Sequence, residues 1–361
     1  MRALEFHPLC IRAVRRESAD AVCITFDVPD DLKESFAYTA GQFLTLRAAL
    51  GGAEVRRCYS ICTGLDDREL AVAVKHVPQG LFSHHANTAL NVGDVIEVMP
   101  PEGRFGAALS PEQARLHVGF AAGSGITPIM AILKTVLSRE PHSRFILFYG
   151  NRSAASIMFR ETLEDLKDRY LDRLSVFHIL SREEQDISLL SGRLDGEKVR
   201  ALLPRVVPPD AIDHAYICGP ASMNDALPIA LGELGARPER IHVERFVVAG
   251  TPPPHLSSAR AGEGVCSRPF AVATIIHDGK TNEIPVAEGE AVLEAGLRAG
   301  LNLPWSCRGG MCSTCRARLR DGAVKMVQNY ALEPWELDAG YVLTCQSHPT
   351  TPNVTVDYDQ V

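Results

Sequence analysis

The strongest constraint on this chain is the spacing of four cysteines near its C-terminus. Cys307, Cys312 and Cys315 follow one another as C-x4-C-x2-C, and Cys345 comes after a further 29 residues. This spacing is typical of plant-type [2Fe–2S] clusters, in which one loop supplies three thiolates and a distant strand supplies the fourth. A four-cysteine zinc site is the alternative, but zinc sites favour two short C-x2–4-C pairs, and Cys345 has no near partner. The spacing therefore predicts an iron–sulfur cluster.

Composition and charge exclude several classes of protein. The 361 residues are 46% hydrophobic and 22% charged, as in ordinary globular proteins. The net charge of −7 argues against a chain that coats nucleic acid or an anionic membrane. No apolar run has the length of a membrane span, and the first residues lack the apolar core of a signal peptide. We therefore expect a cytoplasmic protein whose ten cysteines serve metal or redox chemistry rather than disulfides.

Three patterns of residues predict three domains. Short strand-like segments punctuated by Gly, Asp and Pro fill residues 1–108 and indicate an antiparallel β-barrel. Apolar strands alternate with helical stretches over 109–248, which indicates a parallel α/β domain. Residues 249–268 are rich in Pro, Gly, Ser and Ala and predict a linker. Residues 269–361 predict a hairpin that turns at 278–279, a helix, the cysteine loop and further strands.

The first domain carries a candidate flavin site. The string R-C-Y-S at 57–60 precedes a strand end at 74–77 and a helix that opens at Gly80. A helix N-terminus suits a pyrophosphate, and the Arg57 guanidinium can pair with the same phosphates. The alternative is that Arg57 is a surface charge and Tyr59 a core aromatic. The candidate cofactor-binding residues of this domain are Arg57, Cys58, Tyr59, Ser60, Val74, Lys75, Val77, Gly80 and Ser83.

The second domain carries a candidate nicotinamide site. In the string G-S-G-I-T-P at 123–128, the glycines allow a pyrophosphate to approach the backbone at a helix N-terminus. Ser181 and Arg182 supply a hydroxyl and a cation, which suit a 2′-phosphate and favour NADPH over NADH; Arg152 is expected to assist. The alternative for both arginines is a solvated charge. The candidate residues are Gly123, Ser124, Gly125, Thr127, Pro128, Asn151, Arg152, Ser181, Arg182, Cys218, Gly219, Pro220 and Met223.

These strings, in this order, resemble the ferredoxin–NADP reductase family, and residues 269–361 resemble the β-grasp fold of plant-type ferredoxins. The resemblance implies a flavin next to a nicotinamide, with FAD favoured over FMN. It also implies that C-G-P at 218–220 approaches the nicotinamide and that H-V-E-R-F at 242–246 returns to the flavin. The family commonly has two glycines before the flavin-domain helix, and Gln79 departs from that pattern. The candidate catalytic residues are Ser60, Thr127, Cys218, Glu244 and Phe246.

Within that family, the motifs and the tail string N-Y-A-L-E-P-W-E-L-D-A-G-Y-V-L-T-C-Q are similar to the reductase subunits of bacterial phenylacetyl-CoA epoxidases. This resemblance implies a monooxygenase component that passes electrons from NADPH through FAD and the cluster to a separate di-iron oxygenase in aerobic phenylacetate degradation. The alternatives are a reductase for an aromatic-ring or steroid oxygenase and a non-enzymatic iron–sulfur redox sensor. The working expectation is a monomer that binds neither nucleic acid nor membrane.

Basic residues crowd the cluster segment, although residues 269–361 are acidic overall. They are Arg308, Arg316, Arg318, Arg320 and Lys325. One hypothesis is that they form a basic collar that docks an acidic patch of the electron acceptor. The alternative is that nearby carboxylates balance these charges.

Overall fold

The computed structural model describes residues 5–246 and 270–360. These divide into two compact units, with the division after Phe246. The predicted linker over 249–268 lies outside the described residues. Within the two described ranges, no helix combines the length and the hydropathy needed to cross a bilayer.

An antiparallel sheet forms the first part of the larger unit. Its strands pair in the order β4-β3-β6-β1-β2-β5, and an additional bridge from Ile61 to Val72 brings the β4 end against β5. The two outer strands therefore meet, and the sheet closes into the predicted barrel. Fully buried residues such as Leu9, Ile24 and Leu46 fill its interior. The elements are β1 (His7–Ser18), β2 (Ala21–Asp27), β3 (Phe43–Leu50), β4 (Ala53–Ser60), β5 (Leu70–Lys75), α1 (Leu81–Thr88) and β6 (Val95–Val98).

A five-stranded parallel sheet with the order β11-β10-β7-β8-β9 forms the second part of this unit. One of its faces packs on α2, in a core that also includes barrel residues such as Cys23 and Cys62. The other face packs on α4 and α5. The elements are β7 (Leu116–Ala122), α2 (Ile126–Arg139), β8 (Arg144–Asn151), α3 (Arg160–Arg169), β9 (Leu174–Leu180), α4 (Gly196–Val206), β10 (His214–Cys218), α5 (Ala221–Glu233) and β11 (Ile241–Glu244).

The smaller unit is a mixed sheet with the order β13-β12-β18-β14-β16, in which β12 and β18 are parallel, and a separate β15-β17 pair. Asp278 and Gly279 have φ values of 51° and 68°, as a tight hairpin turn requires, so the predicted turn is confirmed. The elements are β12 (Ala271–His277), β13 (Lys280–Val286), α6 (Val292–Arg298), β14 (Arg316–Asp321), β15 (Val324–Met326), α7 (Pro334–Asp338), β16 (Tyr341–Leu343), β17 (Ser347–Pro349) and β18 (Asn353–Asp357).

Candidate cofactor sites

The predicted nicotinamide-site residues gather at the carboxyl edge of the parallel sheet. Strand β7 ends just before Gly123, β8 ends at Asn151, β9 ends just before Ser181 and β10 ends at Cys218. Ligands of open α/β sheets bind outside this edge, so the fold brings together motifs that are distant in the sequence.

The G-S-G-I-T-P turn and the C-G-P segment are in direct contact. A Cβ atom on Gly125 would lie 2.0 Å from the Cys218 carbonyl oxygen and 2.9 Å from the Gly219 nitrogen. Glycine is therefore required at position 125 because two segments of the chain pack closely there, and the local sequence does not reveal this contact. Gly123 has a φ of 55°, a left-handed conformation that favours glycine. The Thr127 hydroxyl donates to the Ser124 carbonyl at 3.0 Å and stabilises the start of α2.

The polar groups at this edge fit a dinucleotide. Asn151 is only 7% exposed, and neither atom of its carboxamide has a hydrogen-bond partner among the described residues. A buried amide without partners is destabilising, and a ligand rich in donors and acceptors would satisfy it.

Asn224 is a residue of this site that the sequence motifs did not single out. It is 1% exposed, and its Nδ2 donates to the carbonyls of Gly219 and Glu244, both at 3.0 Å. It thus joins the C-G-P segment to the end of β11, while its Oδ1 has no partner among the described residues. Its place in the sequence, four residues after Pro220, was the one hint that Asn224 belongs to the site. Its contact with Glu244 could not be inferred, because it joins residues 20 positions apart.

A thiol and a carboxyl group lie at paired positions at the ends of β10 and β11. Cys218 and Glu244 are paired in register, and Phe246 is partly buried against the hydrophobic core that contains Cys218. Burial raises the pKa of Glu244 to about 8, and burial together with the Glu244 carboxyl raises the pKa of the Cys218 thiol. Burial thus favours the protonated form of both groups.

Two exposed arginines lie next to each other beyond β8 and β9. The Arg182 N–H donates to the Arg152 carbonyl at 2.8 Å, and the Ser181 N–H donates to the Asn151 carbonyl at 2.9 Å. Neither guanidinium belongs to an ion pair within the described part of the chain. A pair of open cations beside a hydroxyl suits a phosphate group.

The barrel brings Arg57 and Tyr59 to the same side of β4, because alternate residues of a strand share a face. The Tyr59 ring lies 5.4 Å from the Phe82 ring of α1, and burial raises the pKa of Tyr59. Cys58 lies on the opposite face, where its sulfur is 3.8 Å from the Thr45 hydroxyl. The Tyr59 ring thus lies beside the start of α1, the Arg57 guanidinium donates to the Arg56 carbonyl at 2.7 Å, and Ser60 ends the strand as a buried residue.

The turn before α1 is held by the side chain of Ser83. Its hydroxyl accepts the Val77 N–H at 3.0 Å and donates to the Gly80 carbonyl at 3.1 Å. The Gly80 N–H donates in turn to the Val77 carbonyl at 2.9 Å, so the N–H groups of Val77 and Gly80 and the Ser83 hydroxyl are all engaged within the turn. Gln79 has a φ of 63°, a conformation that glycine adopts without strain, which gives a physical reason for the glycine that the family resemblance leads us to expect there.

Two further predicted flavin-site residues have local partners. Val74 is fully buried in the barrel core, and its carbonyl accepts the Asn87 Nδ2 at 3.1 Å. The Lys75 ammonium lies 3.3 Å from the Asp20 carboxylate and 3.4 Å from the Ser156 carbonyl of the parallel-sheet domain.

The four cysteines of the smaller unit form a donor set that fits an iron–sulfur cluster. The N–H groups of Gly309 and Met311 point at the Cys307 sulfur at 3.3 and 3.4 Å, and the Cys307 N–H points at the Cys312 sulfur at 3.4 Å. The neighbouring Cys312 thiol and burial raise the pKa of the Cys307 thiol, and a bound metal ion favours the thiolate form of such ligands. Cys312, Cys315 and Cys345 are buried.

The basic residues of the cluster segment are largely balanced by carboxylates, which favours the alternative to the basic-collar hypothesis. Three of the five have carboxylate partners in the same unit: Arg308 with Glu294, Arg316 with Glu336 and Arg320 with Asp357.

Three family models match the chain: an oxidoreductase FAD-binding domain over 8–106, an oxidoreductase NAD-binding domain over 120–227 and a 2Fe-2S iron-sulfur cluster binding domain over 275–350. The chain is 45% identical to a subunit of the 1,2-phenylacetyl-CoA epoxidase of Escherichia coli (strain K12), and the match covers 98% of each chain. The chain belongs to the ferredoxin–NADP reductase family with a C-terminal [2Fe–2S] domain.

Other comparisons agree with this assignment. The reductase is 31% identical to the ferredoxin reductase component of 3-ketosteroid-9-alpha-monooxygenase from Rhodococcus rhodochrous, over 97% of this chain and 96% of that one. In fold it resembles phthalate dioxygenase reductase, with a TM-score of 0.59, 21% identity and 98% of each chain covered. The predicted fold class is thus confirmed, and so are FAD, a nicotinamide and a [2Fe–2S] cluster as cofactors of an oxidoreductase that transfers electrons. The exact domain limits and the individual site residues stay predictions.

Proposed function

We propose that this reductase oxidises NADPH and supplies electrons to a separate di-iron oxygenase that epoxidises phenylacetyl-CoA in aerobic phenylacetate degradation. The observation that carries the proposal is the 45% identity to the epoxidase subunit of Escherichia coli, which extends over 98% of both chains. The steroid monooxygenase component matches over nearly the same length at only 31% identity. When bound, FAD accepts the two electrons of a hydride and releases them singly, and the [2Fe–2S] cluster carries single electrons.

In the barrel, Arg57 and the N-terminus of α1 would hold the flavin pyrophosphate, with Tyr59 against the ring and Ser60 beside its reactive edge. The partial burial of Tyr59 and the burial of Ser60 support this, because a site shielded from solvent keeps water from a reduced flavin. Val77 and Gly80 would line the start of the helix beside the pyrophosphate, and the N–H groups of the first turn of α1 would face the phosphates.

At the sheet edge, the residues that follow β7, β8 and β10 would orient the nicotinamide. The turn at 123–128 would hold the pyrophosphate, and Asn151 would bind the dinucleotide through its unpartnered amide. Cys218 and Glu244, which are paired in register at the ends of β10 and β11, would form one wall of the site beside the nicotinamide. Phe246 would cover the flavin side of this wall.

The preference for NADPH over NADH is assigned to the paired arginines. Arg152 and Arg182 are exposed, adjacent and without ion pairs in the described part of the chain, and Ser181 adds a hydroxyl. A ribose diol would make no use of two cations, whereas a 2′-phosphate would.

The test is NADPH consumption by the cluster-loaded reductase with the di-iron oxygenase of its host, with and without phenylacetyl-CoA, while the thioester is followed by chromatography. Faster consumption with phenylacetyl-CoA and appearance of an epoxide support the proposal. If NADPH reduces the flavin and the cluster but phenylacetyl-CoA changes nothing, the partner or the substrate is wrong. We also propose that the reductase is a monomer, which light scattering on the purified protein tests. Its proposed location is the cytoplasm, which cell fractionation tests.

A further inference from the structure

Exposed apolar side chains are concentrated beside the cluster loop. Among the described residues of the smaller unit, four of the five exposed large hydrophobic side chains lie between β15 and β16: Val327 (37% exposed), Tyr330 (50%), Trp335 (60%) and Leu337 (41%). We call residues 327–338 the aromatic segment. Large apolar side chains are exposed together mainly where another protein covers them, and Trp and Tyr dominate the energetics of such contacts.

The first half of the aromatic segment is hydrogen-bonded to the cluster loop through its backbone. The Tyr330 N–H donates to the carbonyl of Gly310, which lies between the ligands Cys307 and Cys312, at 2.9 Å. A Cβ atom on Gly310 would lie 2.8 Å from the Gln328 carbonyl, so the two backbones are in close contact. Tyr330 is therefore held next to the cluster.

The second half is held by an ion pair and a capped helix. Glu336 is fully buried and pairs with Arg316, the residue that follows the ligand Cys315. The Glu336 side chain also accepts the Glu333 N–H at 3.0 Å at the start of α7. These contacts fix α7 with Trp335 exposed, so little conformational entropy remains to be lost when a partner binds.

The charge of the aromatic segment indicates the chemistry of its partner. Residues 327–338 contain no Lys or Arg. Glu333 and Asp338 are exposed, and neither is in an ion pair within the described residues. Three arginines near the cluster already have carboxylate partners. A complementary partner therefore has an apolar recess for the two aromatic rings and Lys or Arg at its edge.

We propose that Tyr330 and Trp335, flanked by Val327 and Leu337, form the surface through which the reductase docks on its oxygenase. This rests on the proposed function, since it takes an oxygenase subunit as the electron acceptor. An acceptor seated on these residues lies against the loop that holds three of the four cluster ligands, as electron transfer over a short distance requires. The docking is mainly apolar, with the acidic residues at its rim setting orientation.

The test compares wild type with Trp335→Ser, Tyr330→Ser and Leu337→Ser. The matched control is Leu171→Ser, because Leu171 is 75% exposed on the other unit. Two rates are measured: oxygenase turnover against oxygenase concentration, and NADPH-driven reduction of the cluster without oxygenase. We expect Trp335→Ser to raise the apparent KM for the oxygenase about tenfold or more, with unchanged cluster reduction. Leu171→Ser should change neither rate.

The outcomes separate the docking proposal from the proposed function. If wild type drives the oxygenase and Trp335→Ser and Tyr330→Ser have unchanged KM values, docking lies elsewhere. If these variants slow cluster reduction without oxygenase, the surface serves the flavin unit of the same chain, and the proposal is wrong. If wild type drives no oxygenase, the proposed function fails and the docking proposal fails with it. Asp338→Lys should weaken docking and reduce its dependence on salt; an unchanged salt dependence would remove the role of the acidic rim.

Discussion

Replacing Gly125 with alanine tests whether the contact between the two nicotinamide motifs positions the cofactor. Gly125 has a φ of −62°, which alanine adopts without strain, so the substitution acts through space alone. The new Cβ atom would lie 2.0 Å from the oxygen and 2.5 Å from the carbon of the Cys218 carbonyl. Both are backbone atoms, so no side-chain rotation relieves the clash.

The expected size of the effect follows from this geometry. The segments must separate by about 1 Å or more to restore an ordinary contact, and overpacking of this kind costs about 1–3 kcal/mol of stability. A displacement of about 1 Å in a reacting pair can slow catalysis about 100-fold. Because the predicted displacement is of this size, we expect Gly125→Ala to slow flavin reduction by NADPH roughly tenfold to 100-fold.

The assay is anaerobic stopped-flow absorbance of the flavin after mixing with NADPH, together with thermal unfolding. The control is Gly232→Ala near the end of α5, where a Cβ would meet nothing within 4 Å. That variant should keep the wild-type rate and gain up to about 1 kcal/mol in stability. A wild-type rate of flavin reduction in Gly125→Ala would refute the positioning argument.

Three further predictions concern selectivity, strain and pH. Replacing Arg152 and Arg182 together with alanine should raise the KM for NADPH roughly 10- to 100-fold and leave that for NADH nearly unchanged, which steady-state kinetics with both coenzymes would measure. Gln79→Gly should stabilise the protein by about 1 kcal/mol, because it replaces a non-glycine residue in the left-handed conformation. The expected result is a higher Tm, and a lower Tm would contradict the inference that the backbone is strained at Gln79. Burial, with His117 and His242 nearby, lowers the pKa of His214 to about 4 in the folded protein, below the value of about 6.5 in the unfolded chain. The unfolded chain therefore binds a proton more readily, and the folded protein loses stability as the pH falls from about 6.5 towards 4. His214→Gln should flatten that decline of Tm.

Local sequence patterns were sufficient for much of the fold and for the cluster. Strand–helix alternation predicted the parallel sheet, because each element carries its own periodicity. The turn at 278–279 was predictable because a tight hairpin turn needs two consecutive residues with positive φ, and an Asp-Gly pair adopts this conformation readily. The four cysteines were predictable because iron ligation restricts residue type and spacing together.

Contacts between distant segments were not predictable from the sequence. Gly125 is constrained by Cys218, and Asn224 is bonded to the end of β11, so neither role shows in the local string. The sequence left open whether the basic residues of the cluster segment form a collar or are balanced by carboxylates, for the same reason. They are close together in the sequence, but the carboxylate that pairs with Arg316 comes 20 residues later.

The central claim is that electrons from NADPH reach the oxygenase only by way of the cluster. The most direct measurement is epoxide formation by the oxygenase with wild-type reductase and with Cys345→Ser, with flavin bleaching by NADPH recorded on the same samples. Because Cys345 belongs to the smaller unit, we predict that the variant bleaches its flavin at the wild-type rate and supports no epoxide formation. Epoxide formation at the wild-type rate by a reductase that lacks the cluster would contradict the account.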